Sequence, residues 1–475
     1  MSEPLPSSPA RAPTSIRPNP PGAWRPAHRV AQRVLAPVER LLAIQASSGI
    51  VLFAAAAIAM LWANSRYSES YRWFWSLEFG LRLGPVAFVR ELRWWVNDGL
   101  MAVFFFVVGL ELRREIHNGE LAELRRASLP IAAALGGTIA PALVYLAVNH
   151  GRASAVGWPI PMATDIAFAL GIFTLLASRV APAMRVVLLA LAVVDDLAAV
   201  GVIAVCFSTG LHLPGLLFAA LGFWAVLTMR AAGVRSPWLY VPAGVIVWAG
   251  IYAGGLHPTM AGVLLGVTTP PVAWLGREGL LEIVSQSTED IRGLKGASAS
   301  QMFPHLALLE HARIEATSPV ERIQHALHRW VAFGIMPLFA LANAGVVIDG
   351  IRWDGDARWV FVGVALALFV GKPLGVIAAT ALGRSTGLLR LPAGLGARHI
   401  ALVGSVAGVG FTMALFLAQL CFGTSPLAAA GKLGVLVGSG SAALLTLALG
   451  RTLLSTALPA GAAETAEEAE QSTER

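Results

Sequence analysis

Residues 191–200 read Leu191-Ala192-Val193-Val194-Asp195-Asp196-Leu197-Ala198-Ala199-Val200, two adjacent carboxylates inside an apolar run that extends over 183–207. As a helix rising 1.5 Å per residue, such a run crosses the ~30 Å hydrocarbon layer of a bilayer. An ionisable side chain near the bilayer centre costs at least ~2.5–3.5 kcal/mol on insertion scales, so a pair of them marks an ion or proton path. Outward from this block the same pattern repeats. Twelve apolar blocks are predicted to span, at 41–64, 95–116, 128–149, 156–177, 183–207, 214–231, 237–254, 256–272, 325–348, 359–382, 399–423 and 427–455. They are longer than the strands of a membrane barrel and lack their alternation. The expected fold class is an all-α polytopic membrane protein.

Composition agrees with that class. Of 475 residues 56% are apolar and 13% charged, against roughly 25% charged in an average soluble domain. A net charge of +7 and a pI near 10.0 would suit a nucleic-acid binder, but the distribution of charge gives another reason. With the N-terminus cytoplasmic, most of the 35 Lys and Arg fall in cytoplasmic segments and both termini lie inside. No nucleic-acid partner is implied.

Residues 1–40 carry Arg11, Arg17, Arg25, Arg29, Arg33 and Arg40 in a Pro-rich setting. They are expected to form a disordered, retained cytoplasmic tail rather than a signal peptide. The transmembrane domain is predicted at 41–457 and a disordered acidic tail at 458–475. An outer connection at about 65–94 should contain a short hairpin, since Leu77-Glu78-Phe79-Gly80-Leu81-Arg82-Leu83-Gly84 partly alternates around glycine. The charged stretch 276–320 is expected to be a long solvated cytoplasmic loop. Cys206 and Cys421 lie in apolar blocks without metal-ligand spacing, so neither a disulfide scaffold nor a zinc site is implied.

Two triplets of blocks echo each other, 128–207 and 359–455, and the middle member of each is interrupted. The fourth block holds Gly157, Pro159, Pro161 and Gly171, and the eleventh holds Gly404, Gly408 and Gly410. Irregular backbone at membrane depth is tolerated only where it is buried in protein or lines a cavity. Four charges fall nearby in this scheme: Asp165, Asp195, Asp196 and Lys372. The fourth and fifth blocks join through a short turn near 178–182, which puts Asp165 and Asp196 at matching depth, about 22 Å along their helices. By the same rise Lys372 lies ~20 Å from Arg358 and ~18 Å from Arg384, again near mid-membrane.

Hard cations select carboxylate, hydroxyl and carbonyl oxygen. Asp195 and Asp196, with Asp165, Thr164 and freed backbone carbonyls, supply that set for Na+. Carboxylates crowded in a partly dry site resist ionising together, so protons compete with the cation. That competition is sufficient for exchange. Lys372 could pair with Asp195 when no sodium is bound, or offset a broken-helix C-terminus. Plainer roles stand beside these: Asp165 as a helix cap, and Lys372 before Pro373 as part of a kink.

At these residues the chain resembles the bacterial NhaA sodium/proton antiporter family over about 41–272 and 318–455. The matching segments are Asn97-Asp98-Gly99-Leu100-Met101-Ala102-Val103-Phe104-Phe105 through Gly109-Leu110-Glu111, Ala163-Thr164-Asp165-Ile166-Ala167-Phe168-Ala169-Leu170-Gly171, Asp195-Asp196, Pro337-Leu338-Phe339-Ala340-Leu341-Ala342-Asn343-Ala344-Gly345, Gly371-Lys372-Pro373-Leu374-Gly375 and Gly410-Phe411-Thr412-Met413. The resemblance implies twelve helices with inverted repeats and two broken spans, the fourth and eleventh. It also implies electrogenic, pH-activated exchange of Na+ or Li+ for H+, and homodimers in the inner membrane that meet at the outer hairpin. It assigns no catalytic residue and no cofactor, and the protein is not expected to be an enzyme.

The resemblance further implies pH sensing at Glu111, Arg114 and Glu115, and at Gln324, His325 and His328. Gln324 stands where an acidic residue is usual, and Arg329 where proline is frequent, so a titrating group is lost and a shifted activation profile is expected. His325 and His328 share a helix face and titrate near neutrality, although an interfacial helix start explains them as well. Asp98 beside Asn97, and His257 before Pro258, are candidate ion-path or sensing residues whose plainer role is capping or starting a helix. Two other function classes compete. An intramembrane aspartyl protease also uses buried aspartates, but its Gly-x-Gly-Asp and Tyr-Asp signatures are absent from the blocks; a passive cation channel has no need of Lys372. No phosphate-binding Gly-x-x-x-x-Gly-Lys-Ser/Thr loop occurs, which argues against ATP-driven pumping.

Overall fold

The computed structural model describes residues 46–454 except 84, 85, 177, 178, 209, 295–298, 350, 352, 354, 390 and 393. The predicted tails 1–40 and 458–475 lie outside the described residues. In chain order the elements are α1 (Ala46–Ala63), α2 (Ser68–Ser76), β1 (Glu78–Leu83), β2 (Val86–Glu91), α3 (Leu92–Asn118), α4 (Leu124–Val148), α5 (Ala153–Met162) and α6 (Ile166–Leu175). There follow α7 (Pro182–Cys206), α8 (Leu213–Ala231), α9 (Pro237–Ala253), α10 (Thr259–Thr268), α11 (Arg277–Gly293), α12 (Ala299–Glu315), α13 (Pro319–Trp330) and α14 (Met336–Asn343). The chain closes with α15 (Asp356–Ser385), α16 (Ala397–Ala407), α17 (Phe411–Phe422) and α18 (Pro426–Leu453).

Among the described residues, six helices are long and apolar enough to cross a membrane, and nine if each bent pair is one span. Side chains such as Ile139, Leu143, Leu221 and Leu444 stay exposed on them, as a surface facing hydrocarbon requires. Proline sets several starts: Pro182, Pro237, Pro319 and Pro426 occupy the first turn, where a missing N–H removes no helical bond. Each of the twelve predicted blocks carries helix. The block at 256–272 keeps only ten helical residues, because the helix starts after Pro258 and stops before Pro270 and Pro271.

Two groups of helices pack side by side. In one, α10 lies along α3, α9 along α8, and α13 against α3; in the other, α4, α16 and α18 surround α15, with α7 against α4 and α17 against α18. Helix α1 bridges them through α6 and α14. The middle member of each echoed triplet is a bent pair, with α5 and α6 meeting at 51° and α16 and α17 at 46°. Three π-helical turns interrupt long helices: Trp95–Leu100 in α3, Val331–Ile335 between α13 and α14, and Ala367–Gly371 in α15, ending just before Lys372.

The predicted hairpin is present. β1 and β2 pair antiparallel with Phe79 opposite Arg90, and the rest of the 65–94 connection holds α2 and the start of α3. Arg90 anchors it, donating to the Tyr252 hydroxyl at 2.9 Å and lying over the Phe88 and Trp94 rings.

The stretch expected as an irregular loop at 276–320 is instead largely helical. α11 turns Leu280, Ile283, Ser287 and Ile291 inward at three- and four-residue spacing, and α12 packs against it. Counting charges concealed that period. Where the chain leaves and returns, the Trp274 and Leu275 amides both donate to the Glu315 carbonyl, at 3.1 and 3.0 Å. The Glu315 carboxylate also pairs with Arg235, whose guanidinium lies over the Trp274 ring.

Helices α4 and α15 approach so closely that a Cβ on Gly375 would lie 2.5 Å from the Ala140 methyl and press into the Gly136 carbonyl. Backbone cannot retreat there. Gly375→Val should lower stability by at least about 1–3 kcal/mol, the cost of an overpacked core. Gly201→Ala, with nothing within 4 Å of the added carbon, should stay within about 0.5 kcal/mol of the parent. Thermal unfolding in detergent, followed by gel filtration, reads both.

Candidate cation site at the crossing of two bent helix pairs

Breaking a helix leaves backbone donors and acceptors without intrahelical partners. Here the two breaks satisfy each other. The Asp165 amide donates to the Val409 carbonyl at 2.8 Å, which ties the break between α5 and α6 to the one between α16 and α17. The Asp165 carboxylate then serves two helix starts at once: Oδ1 accepts from the Phe168 amide at 3.1 Å, capping α6, and Oδ2 accepts from the Thr412 amide at 3.1 Å and the Thr412 hydroxyl at 2.5 Å, at the start of α17. Ser439 on α18 accepts from the neighbouring Phe411 amide at 3.2 Å. One negative charge between two N-terminal helix ends is favourable on dipole grounds.

Beside the crossing, α7 presents Asp195 and Asp196, both buried. Lys372, also buried, sets its Nζ 2.8 Å from Asp195 Oδ2 and donates to the Met162 carbonyl at the end of α5. The Thr164 hydroxyl donates to Asp195 Oδ2 at 2.7 Å, with the Ala407 carbonyl oxygen 3.1 Å away. Oδ1 of each aspartate is buried and meets no donor among the described residues. Gly137 of α4 leaves room there, since a Cβ on it would lie 3.6 Å from Lys372 Cε and 3.9 Å from Asp195 Oδ1.

The five residues that the sequence placed at the centre, Thr164, Asp165, Asp195, Asp196 and Lys372, therefore meet in one region. Within it Asp165 has its acceptors occupied as a double cap, while Asp195 and Asp196 each keep an oxygen free of hydrogen bonds. Lone pairs of two carboxylates, a hydroxyl and the carbonyls of Met162, Ala407 and Val409, each already bonded to Lys372, Thr164 or Asp165, compose an oxygen-rich environment suited to a hard monovalent cation.

The outlying candidates fall into two sets at opposite ends of α3. Near the β-hairpin, His257 Nε2 lies 3.5 Å from Asp98 Oδ1, its Nδ1 lies 2.8 Å from the Thr259 hydroxyl, and the Trp248 indole donates to the Asp98 carbonyl. Asn97, one residue earlier on the same π-helical turn, is bonded to Asn343, whose amide donates to Asn97 Oδ1 at 2.7 Å. At the far end Arg114 pairs with Glu115 at 3.4 Å and Glu111 at 3.8 Å. Helix α13 carries Gln324, His325 and His328 to that end, where His328 lies near His325 and Arg114. None of these enters the crossing through a hydrogen bond.

Sequence reasoning gave no role to Thr412, Ser439 or Gly137. A hydroxyl two residues after Gly410 at a broken-helix start was the available signal for Thr412. Ser439 and Gly137 carried none, since serine and glycine recur throughout these helices.

Comparison with known proteins gives the family. A family model described as Na+/H+ antiporter 1 matches residues 39–449. The chain is 53% identical over 459 residues to a Myxococcus xanthus protein named Na(+)/H(+) antiporter NhaA 2, covering 96% of this chain and 97% of the relative. It is 49% identical over 465 residues to one of the same name from Sorangium cellulosum, covering 97% and 99%. To Na(+)/H(+) antiporter NhaA from Bordetella petrii it is 49% identical over 426 residues, covering 88% and 91%. With one family model spanning most of its length and relatives near half-identical from end to end, the chain belongs to the Na+/H+ antiporter 1 family.

Proposed function

We propose that this chain is a secondary active antiporter exchanging Na+, or Li+, for protons across the bacterial inner membrane, with twelve spans in inverted repeats and both termini cytoplasmic. The bent pairs α5–α6 and α16–α17 are its two broken spans. The observation that carries the reading is the Asp195–Asp196 pair, buried against Lys372 and Thr164 with one oxygen of each carboxylate unpaired.

In the cation-free form the Lys372 ammonium neutralises Asp195, and a proton neutralises Asp196. A cation entering among the carboxylate oxygens needs both groups ionised and turned toward it. It displaces the proton from Asp196, and the second proton comes from within the Asp195–Lys372 pair. Two protons for one cation make the exchange electrogenic. Asp165 keeps its two caps throughout, so the crossing holds its shape while its neighbours change charge. A passive channel would gain nothing from a lysine that competes with the permeant cation. The β-hairpin, held to α9 through Arg90 and Tyr252 and with Phe79 and Arg90 exposed on its strands, supports a homodimer joined there.

Competition fixes a pH dependence and its sign. At fixed Na+ the rate falls as pH falls, because protonated carboxylates reject the cation. Each competing proton raises the apparent KM for Na+ about tenfold per pH unit below the titrating range, and two raise it about 100-fold. Sodium-driven proton flux in everted vesicles measures that slope. Asp196→Asn should abolish the flux, and unchanged exchange in that variant would remove the carboxylate pair from the mechanism.

Lys372→Ala should destabilise the fold by about 3–5 kcal/mol, since it strands a buried carboxylate beside a second one. Thermal unfolding of the purified variant checks this, and a parent-like melting curve contradicts the buried ion pair. Gln324→Glu should move the pH of half-maximal activation by returning a titrating group beside His325 and His328. An unshifted profile would take this end of the molecule out of pH activation.

A further inference from the structure

One aromatic ring stands between the crossing and the β-hairpin end of the molecule. Phe416 lies one helical turn beyond Thr412 on α17, on the same face. Its ring centroid is 6.1 Å from Phe105 of α3, 6.1 Å from Phe339 of α14, and 5.5 Å from the imidazole of His257 just before α10, against which it packs at 87°. Phe105 and Phe339 are 0% exposed and Phe416 is 2% exposed. Phe105 sits on α3 and His257 just before α10, both of the first group, and Phe339 sits on α14, which packs on α1. The ring thus fills the seam where α17 meets α3, α14 and the start of α10. Outward of it the seam closes a second time with polar contacts, His257 to Asp98 and Asn343 to Asn97.

We infer that Phe416 is the coupling residue of the exchanger: its ring, seated between Phe105, Phe339 and His257, closes the cation site from the β-hairpin end until the two helix groups part. The inference rests on the proposed exchange. A constriction lined by aromatic carbon holds no water, and an alkali cation cannot shed its hydration shell there because nothing replaces the lost oxygens. Protons lose their water path at the same point. A site exposed at both ends would let sodium and protons slip past each other. The seal also rides on the binding helix, since Phe416 and Thr412 are one turn apart. Displacement of the crossing relative to α3 and α14 therefore withdraws the ring, so access from this end is tied to the movement that carries the site.

The test uses full-length protein in proteoliposomes, with the series Phe416→Trp, Phe416→Leu and Phe416→Ala. Loss of preloaded 22Na+ is read with no pH gradient, and sodium-driven proton flux is read alongside. Leak at zero gradient should rise as the side chain shrinks, reaching at least about tenfold over the parent in Phe416→Ala as the aperture admits water, while the protons moved per sodium fall. Phe416→Trp should stay as tight as the parent. Phe339→Ala and Phe105→Ala remove the opposing walls and should leak in the same way, which keeps the question open to measurement if Phe416→Ala does not reach the membrane. Parent-like leak in the reconstituted plug and wall variants, or loss of exchange with no leak, overturns the inference. If the exchange reading itself fails, the parent shows no sodium-driven proton flux, and the leak series still reports on the seal.

Discussion

Inside hydrocarbon a backbone polar group without a partner costs several kcal/mol, so a helix can be broken there only if something else satisfies the exposed ends. In this protein that constraint is met by pairing one break with another. The Asp165 amide reaches Val409, its carboxylate caps α6 and the start of α17, and Lys372 takes the Met162 carbonyl at the end of α5. The rest of the arrangement depends on this mutual satisfaction. It takes carbonyl oxygens out of the helical ladder, places a hydroxyl at Thr164, and brings α7 close enough for Asp195 and Asp196 to lie beside the breaks.

Charge at the crossing is divided between two tasks. Asp165 is hydrogen-bonded on both oxygens by groups that stay put, and its negative charge offsets two helix N-termini. Asp195 is held by groups that can leave, an ammonium on a flexible stem and a hydroxyl that rotates. Asp196 is held least of all, with a buried oxygen that meets no donor. Buried carboxylates of such unequal attachment do not respond equally to an incoming cation. In the proposed exchange the well-bonded one preserves geometry, and the poorly bonded pair exchanges ligands. A single broken helix with one aspartate could do the first or the second, but not both.

How much of this could be seen in the sequence depended on whether a residue was costly where it stood. Asp165, Asp195, Asp196 and Lys372 are costly in apolar blocks, and each was found at the crossing. The hairpin was legible because strand alternation around Gly80 breaks the helical period on either side. Helices α11 and α12 are hidden from a reading by charge, because only the spacing of Leu280, Ile283 and Ile291 carries the period. Ser439 and Phe416 stay invisible for the opposite reason: in a membrane helix serine and phenylalanine cost little anywhere, and only their neighbours in space give them a task, while Thr412 shows only by its place two residues after Gly410. The paired contact of Asp98 with His257 lies between. Each residue was singled out alone, and their meeting across α3 and the start of α10 needed the fold.

The separation of polar and apolar function along α17 has a physical reason. Its first turn must carry amides and a hydroxyl toward Asp165, because a helix start is where donors are free. By the second turn every amide is bonded within the helix, and the side chain at Phe416 can be wholly apolar without stranding anything. A seal placed any nearer the crossing would compete with the groups that hold the break together. Placed farther out, it would leave a wet cavity between itself and the carboxylates, where screening by water would weaken the contest between cation and proton. One turn is the shortest distance at which the same helix can both bond the site and dry it.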